Sequence, residues 1–217
     1  MKPRFSNQTN RALTLTEVLV VVMLLIVLAA IVIPGGPVAK DRAMRLSCTS
    51  NLKQISLAFE LSMGDQGDKY PMGISVTNGG SMEMVETGNV VQTFLLMTNG
   101  LNTPKILFCP ADTSRFWTND FAGLSNSNIS YFVALDANDN YQERLLSGDC
   151  NFEIGGVPVK SGLLEIPINT PVAWTAARHK FAGNIGLCDG SVQMVDNSSL
   201  TKLFNQTDLA TNRLAIP

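Results

Sequence analysis

The chain is short of charge and of histidine. Only 16% of its 217 residues are charged, the net charge is -2, and the single histidine is His179. No cluster of lysine and arginine follows Lys53, so the sequence lacks the concentrated basic surface that binds nucleic acid. One histidine cannot provide the two or three imidazole ligands of a common catalytic zinc site. These shortages argue against a nucleic-acid-binding protein and against a histidine-rich zinc enzyme.

The short motifs of hydrolases and thiol sites are also missing. The sequence contains no G-x-S-x-G, and none of its four cysteines lies in a C-x-x-C pair. A triad built on His179 and Asp189 would need a nucleophile held by the base, and no serine or cysteine has that motif context. We therefore expect no enzymatic activity, no catalytic residue and no cofactor. The alternative role for His179 is a hydrogen bond to the backbone.

The sequence is rich in apolar residues near its start. From Val18 to Ile33 no residue is charged or strongly polar, and the residues just before this run include Glu17. A helix over residues 13–34 would span roughly 30 Å at about 1.5 Å per residue, which is one hydrocarbon thickness. The run therefore predicts a transmembrane helix. Basic residues precede it and favour a cytoplasmic N-terminus: Lys2, Arg4 and Arg11.

Glu17 does not fit a simple membrane segment. A secretory signal peptide and a plain signal anchor both account for the basic start and the apolar run, but neither uses a carboxylate. A charged residue at mid-bilayer costs about 2.5–3.5 kcal/mol, so it tends to find a partner. Cleavage between Ala12 and Leu13 would create an amine one helical turn from Glu17. In a set of parallel helices, that amine could pair with the Glu17 of a neighbour.

The stretch ALTLTEVLVVVMLLIVLAAIVIP, residues 12–34, resembles the prepilin-type cleavage and methylation segment of type IV pilins and type II secretion pseudopilins. Thr14, Leu15 and Glu17 match the family pattern, whereas Ala12 and Leu13 stand where glycine and phenylalanine are usual. The resemblance implies a leader over residues 1–12 that prepilin peptidase removes. It also implies N-methylation of Leu13 and a role for Glu17 in assembly.

A second segment, RHKFAGNIGLCDGSVQMV, resembles the H-x9-D-G stretch near the C-terminus of proteins processed in the same way. The matching residues are His179, Asp189 and Gly190. The resemblance implies no reaction. The D-G pair between two short extended runs also predicts a β-hairpin over residues 184–195 with a type I′ turn.

The remaining pattern predicts a stem helix and a head. Apolar residues at helical spacing mark one face of a helix over residues 35–63: Met44, Cys48, Leu52, Ile55 and Phe59. Residues 64–217 read as a globular head in which 105–109 form a strand and 119–156 form long loops around one strand. The expected fold is α+β and pilin-like. A long N-terminal helix, with a transmembrane half and an amphipathic stem, packs on a small antiparallel β-sheet head.

The cysteines and several aspartates suggest cross-links and a metal. An extracytoplasmic head would favour the pairings Cys48–Cys109 and Cys150–Cys188, although other pairings and free thiols stay open. Some pseudopilins hold structural Ca²⁺, and the resemblance therefore suggests candidate oxygen ligands. Solvated turn residues explain the same carboxylates equally well. The candidates are Asp136, Asp139, Asp189 and Asp196, and the preferred interpretation assigns no metal.

These features together predict a processed pilin-like subunit that assembles into a pilus-like filament, such as the pseudopilus of a type II secretion system. The implied partners are prepilin peptidase, other pilin-like subunits, the secretion or pilus machinery and the inner membrane. The expected location is the inner membrane, single-pass, with a cytoplasmic N-terminus and a periplasmic head, or an extracytoplasmic filament. The alternative is a membrane-anchored, periplasm-facing binding module that never polymerises.

Overall fold

A computed structural model describes residues 14–32, 37–65 and 67–217. The chain divides into two compact units, Met1–Ala39 and Lys40–Pro217. In the first unit the main described element is helix α1, Leu15–Val32. Helix α2, Pro37–Asp65, belongs to the second unit from Lys40 onward.

The other described helices are short and lie in the second unit. They are α3 (Met82–Val85), α4 (Val91–Leu96), α5 (Thr98–Leu101) and α6 (Asn197–Asn205). Single turns of 3₁₀ helix lie at Pro71–Gly73, Val76–Asn78, Pro104–Leu107, Phe121–Gly123 and Asn126–Asn128. Asp196 caps α6, since its side chain accepts a hydrogen bond from the Ser199 N–H.

Nine described strands form two antiparallel sheets. The strands are β1 (Tyr131–Ala134), β2 (Leu145–Asp149), β3 (Phe152–Ile154), β4 (Val157–Pro158), β5 (Gly162–Pro167), β6 (Val172–Trp174), β7 (Ala182–Leu187), β8 (Val192–Asp196) and β9 (Thr211–Ile216). The larger sheet has six strands in the order β5-β9-β1-β2-β7-β8, and the smaller has the order β4-β3-β6. All the pairings are antiparallel.

The inner strands β1, β2 and β7 of the six-stranded sheet are buried on both faces. On one face, Tyr131 and Val133 of β1 share a core with the apolar stripe of α2, where Cys48, Leu52, Ile55 and Phe59 are each 0% exposed. On the other face, Phe132 and Ala134 share a second core with α6 and the three-stranded sheet. Successive strand residues point to opposite faces, so β1 contributes to both cores. This explains why its four residues are all apolar.

The predicted pilin-like fold is wrong. The structure is dominated by a six-stranded and a three-stranded antiparallel sheet, and most of its described helices are short. The prediction was a small sheet with one face packed on a long helix. The observed six-stranded sheet has a second apolar core on the face opposite α2. A second layer of strands and α6 must cover that core.

The predicted transmembrane helix over residues 13–34 is also wrong. Within residues 14–32, 37–65 and 67–217, we find no helix whose length and apolar content suffice to span a bilayer. This finding overturns the expected single-pass inner-membrane location, and with it the description of the chain as a membrane-spanning pseudopilin.

Two local predictions in the head were wrong as well. Residues 105–109 lie in and just after a 3₁₀ turn that begins at Pro104, and not in a strand. Proline fixes φ near the value of a helical turn, which favours this outcome. Residues 119–156 contain β1, β2 and β3 rather than one strand among loops.

Candidate functional site

His179 and the Asp189-Gly190 pair lie at opposite ends of β7. His179 precedes the strand, and Asp189-Gly190 follow it in the turn to β8. The H-x9-D-G spacing therefore does not bring the imidazole and the Asp189 carboxylate together as an acid–base pair. Asp189 instead accepts a hydrogen bond from the Ser191 N–H, 2.8 Å away, and shapes the turn.

The hairpin of β7 and β8 closes through a different turn from the predicted type I′. The Leu187 N–H donates to the Ser191 carbonyl, and the Gly190 N–H donates to the Leu187 carbonyl. Of the turn residues only Gly190, at φ 76°, has a left-handed backbone, which matches a three-residue hairpin loop ending in a glycine. A Cβ at Gly190 would also collide with the Glu60 carboxylate of α2. The glycine is thus needed for its backbone conformation, and a side chain there would also displace the exposed Glu60 carboxylate.

His179 points into the core of the second unit. Its side chain is 1% exposed, and its Nε2 lies 3.4 Å from the Cys109 sulfur and 3.7 Å from the Asp149 Oδ2. The backbone has positive φ at His179, Lys180 and Phe181. Left-handed backbone costs a residue with a side chain about 1–2 kcal/mol, so packing must hold this segment in place.

A buried ionic network surrounds His179. Arg178 forms an ion pair with Asp112 and donates a 2.8 Å hydrogen bond to the Ser130 carbonyl. Asp149, at the end of β2, accepts hydrogen bonds from the backbone N–H and the side-chain amide of Asn184, at 2.7 and 2.9 Å. The side chains of Arg178, Asp112 and Asp149 are 5%, 2% and 0% exposed.

The charges in this network depend on their partners. Burial would raise the pKa of Asp112, but the Arg178 guanidinium and hydrogen bonds from Ser114 and Ser130 outweigh it and lower the pKa. Burial raises the pKa of Asp149, although His179 and Arg178 oppose the shift. Burial lowers the pKa of His179 despite the nearby Asp149, which favours the neutral imidazole at pH 7. The dominant ionic contact is therefore the one between Arg178 and Asp112.

One of the two predicted disulfides is present. Cys48 of α2 is bonded to Cys109, so the stem helix is covalently tied to the loop before β1. The predicted pairing of Cys150 with Cys188 is wrong, because both are buried free thiols. Burial raises their pKa values to about 12 for Cys150 and about 11 for Cys188. Thiols with such pKa values are poor nucleophiles at neutral pH.

The carboxylates proposed as calcium ligands are dispersed. Asp136 pairs with Arg213 of β9, Asp196 caps α6 and Asp189 shapes the hairpin turn. In the described part of the chain, the one group of donor atoms close enough to share a metal ion consists of Cys48, Cys109 and His179. The structure therefore does not bring Asp136, Asp139, Asp189 and Asp196 together.

The predicted processing and assembly residues lie at the start of the chain. Ala12 and Leu13 fall outside the described residues. Glu17 lies exposed in the first turn of α1, where the helix dipole favours a carboxylate. Its backbone N–H donates to the Thr14 carbonyl at 3.1 Å.

Sequence reasoning missed the three side chains of the buried ionic network next to His179. Asp112, Asp149 and Arg178 come from separate parts of the chain and meet only in the fold. Their signal in the sequence was weak, since aspartate is uncommon in strands and Arg178 simply precedes the histidine of the motif. The sulfur next to the imidazole, that of Cys109, is held in the disulfide with Cys48. Arg178, Asp112 and Asp149 form a buried ion-pair network.

No protein-family model, curated protein or solved structure matches this chain. The resemblance to prepilin-processed proteins therefore rests on the residues of the two segments alone.

Proposed function

We propose that the chain is a filament subunit that is cut between Ala12 and Leu13 and polymerises through helix α1. The observation that carries the proposal is the surface of α1. Its large apolar side chains from Val18 to Leu28, and Leu15 before them, are 48–85% exposed. They cover every face of the helix, a pattern typical of helices that are buried in their functional state.

The exposed area is too large for an isolated chain. A helix of 18 residues, treated as a cylinder about 10 Å wide and ~27 Å long, has a lateral surface of roughly 850 Å². The largest apolar patch on a typical monomer is about 300–600 Å². Burying this surface against α1 of other copies would gain about 25 cal/mol for each Å² removed from water.

Charge complementarity favours copies of the same chain in a parallel arrangement. A chain beginning at Leu13 has an amine four residues before Glu17, about one helical turn or ~6 Å along a helix. A neighbour displaced by about that distance would place its amine level with the Glu17 carboxylate. The pair would neutralise both charges inside an apolar bundle and would set the stagger between subunits.

Replacing Glu17 tests this role directly. Glu17→Ala should leave the second unit folded, as judged by circular dichroism, and should abolish incorporation into filaments seen by electron microscopy. Glu143→Ala removes an exposed carboxylate of the second unit and should assemble normally. Normal assembly of the Glu17 variant would refute the pairing. A wild-type chain that stays monomeric after removal of residues 1–12 would instead favour a binding module that does not polymerise.

A further inference from the structure

Three metal-binding atoms meet beside the buried ionic network. The sulfurs of Cys48 and Cys109 and a ring nitrogen of His179 all lie within 4.8 Å of one another. The cysteines are 0% exposed and the imidazole is 1% exposed. In the structure the sulfurs are joined as a disulfide, so they could serve as ligands only after reduction.

The spacing fits a tetrahedral ion once the disulfide is open. Zinc lies about 2.3 Å from sulfur and ~2.0–2.1 Å from nitrogen, so a sulfur–nitrogen edge is roughly 3.6 Å and a sulfur–sulfur edge ~3.8 Å. The Cys109 sulfur is already 3.4 Å from the His179 Nε2. The Cα atoms of the two cysteines are 5.3 Å apart, which leaves room for rotation about the Cα–Cβ bonds to part the sulfurs.

Asp149 lies beside the imidazole but is not part of this group of donor atoms. Its Oδ2 is 3.7 Å from the His179 Nε2 and already accepts two hydrogen bonds from Asn184. Its Oδ1 lies 4.0 Å from the Arg178 guanidinium. The two cysteines and His179 would therefore supply three ligands to an ion, and a solvent molecule would complete the tetrahedron.

The charge balance favours a divalent cation that binds thiolates. Two thiolates and one divalent ion add no net charge to a core that already holds Asp149 and Arg178. A lone charge buried there would be costly. A cavity of about 140 Å³ lies next to His179 and is lined also by Asp41, Arg42, Met44, Arg45, Ala111 and Lys180.

We propose that the reduced chain binds one Zn²⁺ through Cys48, Cys109 and His179, with a solvent molecule at the fourth position. A dithiol supplies two electrons and two protons that convert the Cys48–Cys109 disulfide to two thiols, and is itself oxidised to a disulfide. Zinc then displaces the two thiol protons to solvent. The disulfide and the zinc site are alternative cross-links between α2 and the loop before β1, selected by redox conditions.

Cobalt provides the test, because Co²⁺ substitutes for zinc and reports thiolate ligands by a charge-transfer band. The full chain is reduced under an inert atmosphere by a phosphine. The phosphine becomes a phosphine oxide with an oxygen atom from water, and it adds no thiol that would compete for the metal. We expect one Co²⁺ per reduced chain, with the absorption of a tetrahedral thiolate site, and its displacement by Zn²⁺. The oxidised chain should bind none. Absence of the thiolate band from the reduced wild type would overturn the proposal.

Variants assign the ligands. His179→Gln should weaken Co²⁺ binding by more than about 100-fold. Even the loss of a residue that only hydrogen-bonds to a metal ligand lowers metal affinity by about 10–100-fold. The double variant Cys150→Ser with Cys188→Ser, which leaves the proposed ligands intact, should bind as the wild type does. Unchanged binding by the His179 variant, or loss of binding in the double variant, would contradict the assignment. As a second readout, Zn²⁺ should raise the Tm of the reduced wild type and not that of His179→Gln.

Discussion

Asp112 is the carboxylate on which the buried charge of Arg178 depends. Asp112→Asn removes the closer ion-pair partner of the buried guanidinium and leaves only Asp149, 4.0 Å away, so we expect a loss of up to about 3–5 kcal/mol in the free energy of unfolding at pH 7. Asp208→Asn removes a surface ion pair with Arg144. The Asp208 side chain is 42% exposed, so its loss should lower the free energy of unfolding by less than about 1 kcal/mol. Denaturant unfolding of both variants measures the two losses in the free energy of unfolding. Equal losses would contradict a stabilising role for the buried Arg178–Asp112 ion pair.

The contribution of Asp112 to the free energy of unfolding should decrease as the pH falls. Its pKa is lowered in the folded chain from an ordinary value of 3.8, so the unfolded state binds the proton more readily. The stability from the Asp112 contact is present above pH 3.8 and is lost as pH falls through the folded pKa. The difference between the wild type and Asp112→Asn should therefore shrink below about pH 4. A constant difference down to pH 2.5 would show that the ionised carboxylate contributes nothing.

Gly190 is the residue of the H-x9-D-G segment with the clearest structural requirement. Gly190→Ala forces a side chain into a backbone at φ 76° and against Glu60, so we expect a loss of roughly 1–2 kcal/mol from the backbone term alone. Adding Glu60→Ala should remove the steric share of this loss in stability and leave the share that comes from the strained backbone. Gly123→Ala is the matched control, since nothing lies within 4 Å of the added Cβ. Thermal unfolding in which Gly190→Ala and Gly123→Ala behave alike would contradict this account.

Among the elements, helix α2 is tied by the Cys48–Cys109 disulfide to the loop before β1. The bond joins residues 61 positions apart, and a cross-link of that span stabilises a fold by about 2–4 kcal/mol. We expect a phosphine reductant to lower the Tm of the wild type in the absence of metal. The double variant Cys150→Ala with Cys188→Ala should respond to the reductant in the same way.

The double variant Cys48→Ala with Cys109→Ala provides the opposite control for that experiment. It lacks the cross-link, so its Tm should not respond to the reductant at all. An equal response in all three proteins would show that the reductant acts elsewhere.

The elements differ in how far the sequence could predict them. The buried face of α2 was visible in the spacing of Cys48, Leu52, Ile55 and Phe59, because a helical period repeats over several turns. The hairpin of β7 and β8 was visible in its D-G pair, but the turn type was not, because both Asp189 and Gly190 tolerate several turns. Strand β2 was missed since its sequence, LLSGD, contains glycine and aspartate, which are depleted in strands.

The candidate site was harder to predict than the strands. The motif singled out His179, but the partners of its imidazole lie far away in the sequence. Cys109 is 70 residues distant, and Asp149 comes from β2, which the pattern did not reveal. Burial of carboxylates depends on the partners that the fold supplies, and no local pattern carries that information.

The whole chain combines the exposed apolar helix α1 with a disulfide-linked second unit. In the proposed filament, α1 provides the contacts between copies, and the second unit, with its disulfide and buried ion pair, keeps its own fold. The two units should therefore respond separately to mutation. Changes at Glu17 should alter assembly without altering the unfolding of the second unit. Asp112→Asn should destabilise the second unit without altering assembly.

The most direct measurement is the N-terminal residue and intact mass of the chain in the sedimented, polymeric fraction of cells that produce it. We expect a polymer whose chains begin at Leu13 and are heavier by one methyl group than the cut sequence. A chain that still begins at Met1 and remains in the monomeric fraction would contradict both the processing and the role of α1 in assembly.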